Sequence, residues 1–234
     1  MTTSAPRDKR IPNPYRMVED QFAVGVQLLG QVLILWFQTL SYMVRGQIDL
    51  KETVRQAYMI GVLSFVVVGI TALITGFAMS LQISRELVQF GADTAIGGVV
   101  SLALVREIGP ITAGVIVAGR VGSSVAAELT TMMITEQIDA LKVMRVDPVK
   151  FLVVPRYTAA LVMIPTLSVY AMFIGLIAGI VIAQGAANVP PDTFMDSVKQ
   201  TILDRDFSVH FLKSIINATL IIMFSCAIGL HTRG

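Results

Sequence analysis

Four long apolar stretches run through the chain, and each is long enough to cross a lipid bilayer as a helix. They cover residues 59–81, 95–118, 158–183 and 211–230. A transmembrane helix needs about 20 mostly apolar residues to span roughly 30 Å of hydrocarbon. Buried helices of a soluble core would need a far larger polar shell than the remaining residues supply. The pattern therefore predicts four transmembrane helices.

A fifth stretch, residues 21–44, has no charge but carries glutamines at helical spacing on one side: Gln27, Gln31 and Gln38. Basic residues flank it before and after, and basic flanks belong on the cytoplasmic side of a membrane. A single crossing would put the two flanks on opposite sides. We therefore predict an interfacial helix over residues 18–46, with a true span as the alternative. Residues 1–17 form a polar, cytoplasmic N-terminus in this interpretation.

The charges between the stretches orient the bundle. The connection between the second and third stretches is rich in lysine and arginine, which places it in the cytoplasm. The connection between the third and fourth stretches is rich in aspartate, which places it outside. In that external segment Phe194, Val198 and Ile202 recur every four residues. This stripe predicts a short external helix that rests on its neighbours.

The composition supports a membrane protein and excludes several other classes. Hydrophobic residues make up 54% of the 234 residues and charged residues 15%, with a net charge of +2, whereas an average soluble domain is about 25% charged. These values exclude a disordered chain, and the small basic excess excludes a nucleic-acid-binding protein. The single cysteine, Cys226, excludes a disulfide scaffold. The fold class is all-α, as a polytopic membrane protein.

Two opposite charges, Arg106 and Glu107, lie in the middle of the second apolar stretch. An ionised side chain near the bilayer centre costs at least about 2.5–3.5 kcal/mol, so each charge needs a partner or a wet cavity. Lys213, at the start of the last stretch, is a candidate partner for Glu107. Gly109-Pro110 permits a kink directly after the charges. The pair indicates either a polar substrate path or a structural ion pair that fixes helix packing.

Small residues follow along the same stretch and include Gly119, Gly122 and Ser123. Small side chains let two helices approach closely, either within one chain or at a homodimer seam, and the sequence leaves both open. Arg120 and Glu128 lie near the predicted cytoplasmic boundary, where a charge costs little.

Residues 135–146 read as a short amphipathic helix between two spans. Ile138, Leu141 and Met144 lie at positions i, i+3 and i+6, with charged residues between them. Asp147-Pro148 stops the helix, because the residue before a proline disfavours helical backbone. Such a helix is either a docking element for a soluble partner or a solvated connector.

Motifs for catalysis and for binding of a cofactor or metal are absent from the sequence. It contains no phosphate-binding loop of the form G-x-x-x-x-G-K-[ST], so ATP cannot be held by that motif. His210 and His231 are too few and too far apart for a metal site, and we expect both to be solvated. We expect Cys226 to be a small apolar filler within the last span.

Several motifs together resemble the MlaE/YrbE permeases, the membrane subunits of MCE-associated ABC transporters. The resemblance covers about residues 48–234, and its motifs follow the family order and spacing. They are Leu104-Val105-Arg106-Glu107-Ile108-Gly109-Pro110, Ala118-Gly119-Arg120-x-Gly122-Ser123, Ala126-Ala127-Glu128-Leu129, Met132, Thr135-Glu136-Gln137-Ile138-Asp139-Ala140-Leu141, Asp147-Pro148 and Val154-Pro155-Arg156.

The resemblance implies a permease domain over residues 47–234 that works as a homodimer in a bacterial inner membrane. It implies a separate cytoplasmic ATPase, an MCE-domain protein on the outer side, and a lipid substrate, usually phospholipid, moved between the inner and outer membranes. It implies no cofactor. The residues expected to meet lipid are Arg106, Glu107 and Lys213. Those expected to receive ATPase motion, on the family's coupling helix, are Glu136, Gln137, Ile138, Asp139, Ala140, Leu141 and Met144. Those expected to transmit it are Gly119, Arg120, Gly122, Ser123 and Glu128.

One departure from the family is visible at the end of the sequence. Family members usually continue past residues 232–234 into a final span, so we expect the fifth crossing to be missing. Two rival functions remain: an ion-coupled secondary transporter with Arg106 and Glu107 as a relay, and a non-transporting membrane scaffold. Few further acidic residues and no visible inverted repeat speak against the secondary transporter.

Overall fold

The computed structural model describes residues 14–231, with side chains from Gly25 onward. Within that range every element is helical. The chain forms five long helices and two short ones, in the order α1 Pro14–Val44, α2 Leu50–Gln89, α3 Asp93–Ile134, α4 Gln137–Val143, α5 Val149–Ala187, α6 Pro191–Thr201 and α7 Asp204–His231.

The five long helices are all long and apolar enough to cross a membrane. The four predicted spans lie inside α2, α3, α5 and α7, which confirms an all-α multi-pass membrane protein. The fifth candidate is the Gly25–Val44 part of α1, the stretch that we interpret as an interfacial helix. Its length and apolarity suit a crossing too, so its position on the cytoplasmic leaflet stays a prediction.

The contact between α2 and α5 is made by small residues, which lets the two backbones approach closely. A Cβ atom added to Gly76 would lie 2.8 Å from the backbone Cα and carbonyl oxygen of Gly175. One turn further along α2, Ser80 Oγ donates a hydrogen bond of 3.1 Å to the Gly179 carbonyl oxygen. Glycine is therefore required at position 76 by backbone contact between the two helices.

Helix α1 lies against α5 and α7 through one polar contact and two buried apolar side chains. Trp36 Nε1 donates to the Tyr157 hydroxyl at 3.2 Å, and that hydroxyl is 3.1 Å from Thr219 Oγ1 of α7. Val32 and Leu35 are buried beside it. Between Gly25 and Val44 the opposite side of the helix exposes apolar side chains such as Leu33, Ile34 and Phe37, as a helix in contact with lipid would.

The short external helix predicted from its apolar stripe is present as α6. Phe194 and Val198 are buried against the N-terminal part of α3 and the end of α5, while Ile202 follows the last helical residue. A Cβ added to Gly97 of α3 would meet the Phe194 carbonyl oxygen at 2.2 Å, so α3 and α6 are in direct backbone contact.

Helix α3 is continuous but contains two π-helical segments, Leu104–Ile108 and Ala118–Gly122. A π segment shifts the hydrogen bonds of a helix by one residue, and such segments are frequent at functional sites. The first contains Arg106 and Glu107, and the second contains Arg120. Three of the four charged residues singled out in the sequence of this helix therefore lie in its irregular turns, whereas Glu128 lies in the regular helix that follows.

Candidate functional site

The first π segment, together with Pro110, interrupts the backbone hydrogen bonding of α3 near Val105 and Arg106. Gly109 donates its N–H to the Leu104 carbonyl, five residues back. Pro110 has no N–H, so it cannot donate to Val105 or Arg106. A carbonyl group left unpaired in an apolar environment is costly, so donors from another helix are favourable here.

Helix α7 supplies the missing donors from one face. His210 Nδ1 bonds the Val105 carbonyl oxygen at 2.7 Å, and Lys213 Nζ donates to the Arg106 carbonyl oxygen at 3.0 Å. Asn217 Nδ2 donates to the Pro110 carbonyl oxygen at 3.1 Å. The three donors lie at i, i+3 and i+7. One face of α7 therefore hydrogen-bonds three backbone carbonyl groups in the interrupted part of α3.

His210 is fully buried, and our expectation that it is solvated is wrong. Because a carbonyl oxygen only accepts, Nδ1 carries the proton toward Val105. On the other side of the ring, Nε2 lies 2.8 Å from Ser168 Oγ, which is 2.7 Å from Ser214 Oγ. The imidazole thus ties α3, α5 and α7 together.

Arg106 pairs with Asp206 in the first turn of α7. Its Nη2 and Nε lie 2.6 Å and 2.7 Å from Asp206 Oδ1, and Asp206 Oδ2 accepts the Leu203 N–H at 3.0 Å. The Asp206 side chain is 2% exposed and that of Arg106 45%. The aspartate holds the guanidinium in place, while Nη1 of Arg106 is engaged by no residue that the structure describes.

Glu107 pairs with Lys213, as its position in the sequence predicted. Arg106 and Glu107 point to different partners because consecutive residues on a helix diverge by about 100°. The Arg106–Asp206 bond puts this part of α3 level with the first turn of α7, at the outer end of the bundle in our predicted orientation.

Asp206 and His210 are site residues that the sequence analysis missed. Together with Lys213 and Asn217 they form one polar stripe at i, i+4, i+7 and i+11 along α7. That spacing was visible in the sequence and places four polar side chains on one face.

An apolar groove of about 270 Å³ continues from the charged cluster along the same two helices. Along α3, Glu107 is followed on the same side by Ile111, Val115 and Ala118. Along α7, Lys213 is followed by Asn217 and Ile221. The charged cluster and the groove therefore form one amphipathic surface between α3 and α7.

The second half of α3 uses its small residues in two ways. A Cβ added to Gly122 would lie 3.0 Å from Ser225 Oγ of α7, whereas one added to Gly119 would meet nothing. Ser123 is exposed beside Gly119. Gly122 therefore packs within the chain, and Gly119 and Ser123 face outward.

Two arginines connect this half of α3 to its neighbours. Arg120 Nη1 donates to the buried Ser64 Oγ of α2 at 2.8 Å. Arg156 of α5, which is buried, pairs with Glu128 at 2.9 Å. The predicted transmission residues Arg120 and Glu128 thus each contact a different helix.

The predicted coupling segment forms α4, a helix shorter than expected. Its limits are set by Glu136 and Arg145, which adopt left-handed backbone with φ of 58° each. Ile138 is buried in the main core and Leu141 packs against that core. Met144 follows the last helical residue and is exposed, so it lies outside the regular helix that the predicted stripe assumed.

The outward face of the α4 segment is polar with an apolar edge. The exposed members of the predicted set are Glu136, Gln137, Asp139, Ala140 and Met144. Asp139 pairs with Lys142 at 2.8 Å on the helix surface. Val143 beside Met144 is also exposed, which leaves two large apolar side chains uncovered on this connection.

Comparison with known proteins agrees with the motifs. The family described as Permease MlaE matches residues 53–234. The chain is 38% identical to a probable ABC transporter permease protein of Synechocystis sp., over 86% of this chain and 81% of that protein. It is 34% identical to a probable ABC transporter permease protein of Rickettsia prowazekii, over 88% of this chain and 80% of that protein.

A plant protein is related as well. The chain is 32% identical to the chloroplastic protein TRIGALACTOSYLDIACYLGLYCEROL 1 of Arabidopsis thaliana, over 87% of this chain and 58% of that protein. The family match covers most of the chain and includes all of the irregular turns of α3 and the whole of α4. The chain therefore belongs to the MlaE permease family.

Proposed function

We propose that the chain is the membrane permease subunit of an ABC-type transporter that moves phospholipid, with ATP hydrolysed by a separate subunit. The observation that carries this proposal is the amphipathic surface between α3 and α7. A charged cluster at one end and an apolar groove that continues from it match the two parts of a lipid molecule. Family membership and the names of the relatives support the permease role.

The charged end suits a phosphate-bearing head group. Arg106 is held by Asp206 yet half exposed, and its Nη1 is free to donate among the described residues. A guanidinium that is already oriented loses little freedom on binding an oxyanion, and charge-assisted bonds to phosphate are strong. The nearby Glu107 offers a carboxylate to a head group that also carries an amine.

The apolar end suits an acyl chain. From Glu107 to Ala118 the helix rises by about 16 Å, which is about half the thickness of the hydrocarbon core. The groove side chains over that distance are mainly aliphatic. Gly119 and Ser123 continue this side of α3 as a narrow exposed strip, which supports a second copy of the chain packing here to enclose the lipid.

The α4 segment suits an ATPase. Exposed apolar side chains at Val143 and Met144, beside exposed charges, are typical of a docking surface on a soluble face. Because Ile138 is buried in the core, a displacement of α4 would be transmitted to the helix bundle. An MCE-domain protein on the outer side of a bacterial inner membrane completes the assembly that the resemblance implies.

The groove is tested by filling it. Val115→Trp should reduce lipid transfer between proteoliposomes by the reconstituted transporter, because the indole occupies the groove. Val66→Trp is the matched control, since Val66 is an equally exposed valine on α2 outside the groove. Equal transfer rates for both variants would refute the groove as the lipid site.

Docking is tested on α4. Reversing the charges of Glu136 and Asp139 to lysine should weaken pull-down of the ATPase and lower its turnover in the complex. The control is reversal of Asp196, an exposed acid on α6 at the other end of the bundle. Unchanged binding and unchanged turnover in the α4 variant would remove the docking role.

A further inference from the structure

A second group of charges, with Arg156 buried among them, lies at the opposite end of the bundle from Arg106, where α3 and α5 meet the start of α2. The Arg156 side chain is only 3% exposed, and its Nη2 bonds one oxygen of Glu128 at 2.9 Å. Nε and Nη1 of Arg156 are buried with no hydrogen-bond partner among the described residues. Burying a guanidinium with two unpaired N–H donors costs free energy, so a ligand that accepts hydrogen bonds from Arg156 would be stabilising.

Arg156 borders a cavity of about 170 Å³ whose lining is mixed in a specific way. Arg55 adds a second cation, which pairs at 3.4 Å with Glu52, another lining residue. Glu128 is a half-exposed carboxylate with one oxygen unbonded by the residues described. Met132, Phe151 and Leu152 add an apolar wall. The cations can bind a phosphate group and the free carboxylate oxygen can bind an amine. The apolar wall can contact the carbon atoms of a glycerol group.

The cavity lies at the level where a lipid head group would be found. Arg156 precedes the predicted third span, which begins at residue 158, by two residues. Arg55 precedes the predicted first span, which begins at residue 59, by one turn. Both helices thus change from polar to apolar sequence at this level, which marks a membrane interface.

We propose that this cavity binds the head group of a zwitterionic, amine-bearing phospholipid from the membrane leaflet at the α4 end of the bundle. The phosphate occupies the free donors of Arg156, and the ammonium group meets the free oxygen of Glu128. This site is separate from the α3–α7 groove and goes beyond the transport function, since a lipid held here needs no ATPase.

The test is native mass spectrometry of the purified full-length chain, titrated with phosphatidylethanolamine, phosphatidylglycerol or inorganic phosphate. All samples carry Val115→Trp, so that the α3–α7 groove is filled and bound lipid reports the Arg156 cavity. We expect Arg156→Gln to weaken phosphatidylethanolamine binding at least tenfold, because charge-assisted hydrogen bonds are lost. Arg85→Gln, an exposed arginine near the other end of α2, is the matched control and should bind normally.

Glu128→Gln separates a lipid site from a structural ion pair. It breaks the same ion pair but keeps the cation, so phosphatidylglycerol binding should persist while the preference for phosphatidylethanolamine is lost. If Arg156→Gln does not fold, Arg156→Lys keeps a buried charge without the planar fork and should bind with intermediate affinity.

Two results would overturn the proposal. The first is phosphatidylethanolamine binding that is the same in Arg156→Gln, Glu128→Gln and the parent chain. In that case Arg156 and Glu128 form a structural ion pair whose remaining donors are hydrogen-bonded by water. The second is equal occupancy by inorganic phosphate with no lipid retained, which would make this a site for a soluble oxyanion.

Discussion

Replacing His210 by leucine tests whether α7 repairs the interrupted helix α3. Leucine fills a similar volume but donates no hydrogen bond, so the Val105 carbonyl loses its partner and Pro110 cannot replace it. A buried carbonyl left unsatisfied costs about 1–3 kcal/mol. For a chain of this length that corresponds to a fall in Tm of roughly 2–12 °C. His210→Asn, whose amide nitrogen can take the place of Nδ1, should cost less.

The chain contains its own reporter for this measurement. Cys226 is the single cysteine of the sequence, and it is buried in α7. A thiol-reactive fluorescent dye therefore reacts with the purified protein only when the bundle opens, and the midpoint of the fluorescence rise gives Tm. A His210→Leu variant as stable as the parent would refute the claim that Val105 depends on this donor.

A second substitution tests whether residue 110 and His210 serve the same backbone carbonyl group. Pro110→Ala restores a backbone N–H that can serve Val105 or Arg106, so the cost of His210→Leu should shrink in that background. The control is Thr219→Val, on the same helix but bonded elsewhere, whose cost should not depend on residue 110. Additive effects of Pro110→Ala and His210→Leu would contradict the assigned hydrogen-bond exchange.

Two further predictions use the same dye measurement. Gly76→Val should destabilise the bundle by about 1–3 kcal/mol, because its side chain meets the backbone of α5; Gly185→Val, where a Cβ would meet nothing, is the control, and an equal effect would contradict the packing argument. Arg106→Gln should lower Tm more than Glu107→Gln, because it leaves the buried carboxylate of Asp206 without its cation, whereas Lys213 is exposed enough to be solvated. The reverse order would contradict the burial argument.

The hydrophobic pattern alone was enough to predict the main helices and their class. The length of an apolar stretch identifies a membrane span regardless of the helices that pack against it. The spans within α2, α3, α5 and α7 could therefore be predicted from the sequence alone. The stripe through Phe194 and Val198 likewise predicted α6, because a period of four residues fixes the buried face of a short helix.

The partners across helices were harder to predict. Lys213 could be proposed as a partner of Glu107 because its charge is opposite and it lies at the start of the last span. Asp206, by contrast, could not be told apart from the other aspartates of the predicted external segment. Its burial depends on how α7 sits against the π segment of α3, a tertiary contact between residues 100 positions apart. His210 was misjudged for the same reason, since a polar residue near the end of a span is buried only if a neighbour presents an acceptor.

The ends of α4 depended on backbone conformations that residue type does not indicate. Glu136 and Arg145 are left-handed although neither is glycine or asparagine. Non-glycine residues adopt this conformation only when surrounding structure imposes it. The predicted helix was therefore too long at both ends, and Met144 lies after its last residue.

Helix α3 connects every part of the proposed mechanism. From Glu107 to Ile134 it rises by about 40 Å, close to the full thickness of a bilayer with its head groups. Along that length it contacts the charged stripe of α7, then Ser64 of α2 and Arg156 of α5, and it ends two residues before α4 begins. Only the turn Thr135–Glu136 lies between the two helices. In the proposed mechanism a displacement of α4 therefore passes through this turn and then along α3 to Arg106. The π segment between them, Ala118–Gly122, is the place where such a displacement can become a bend.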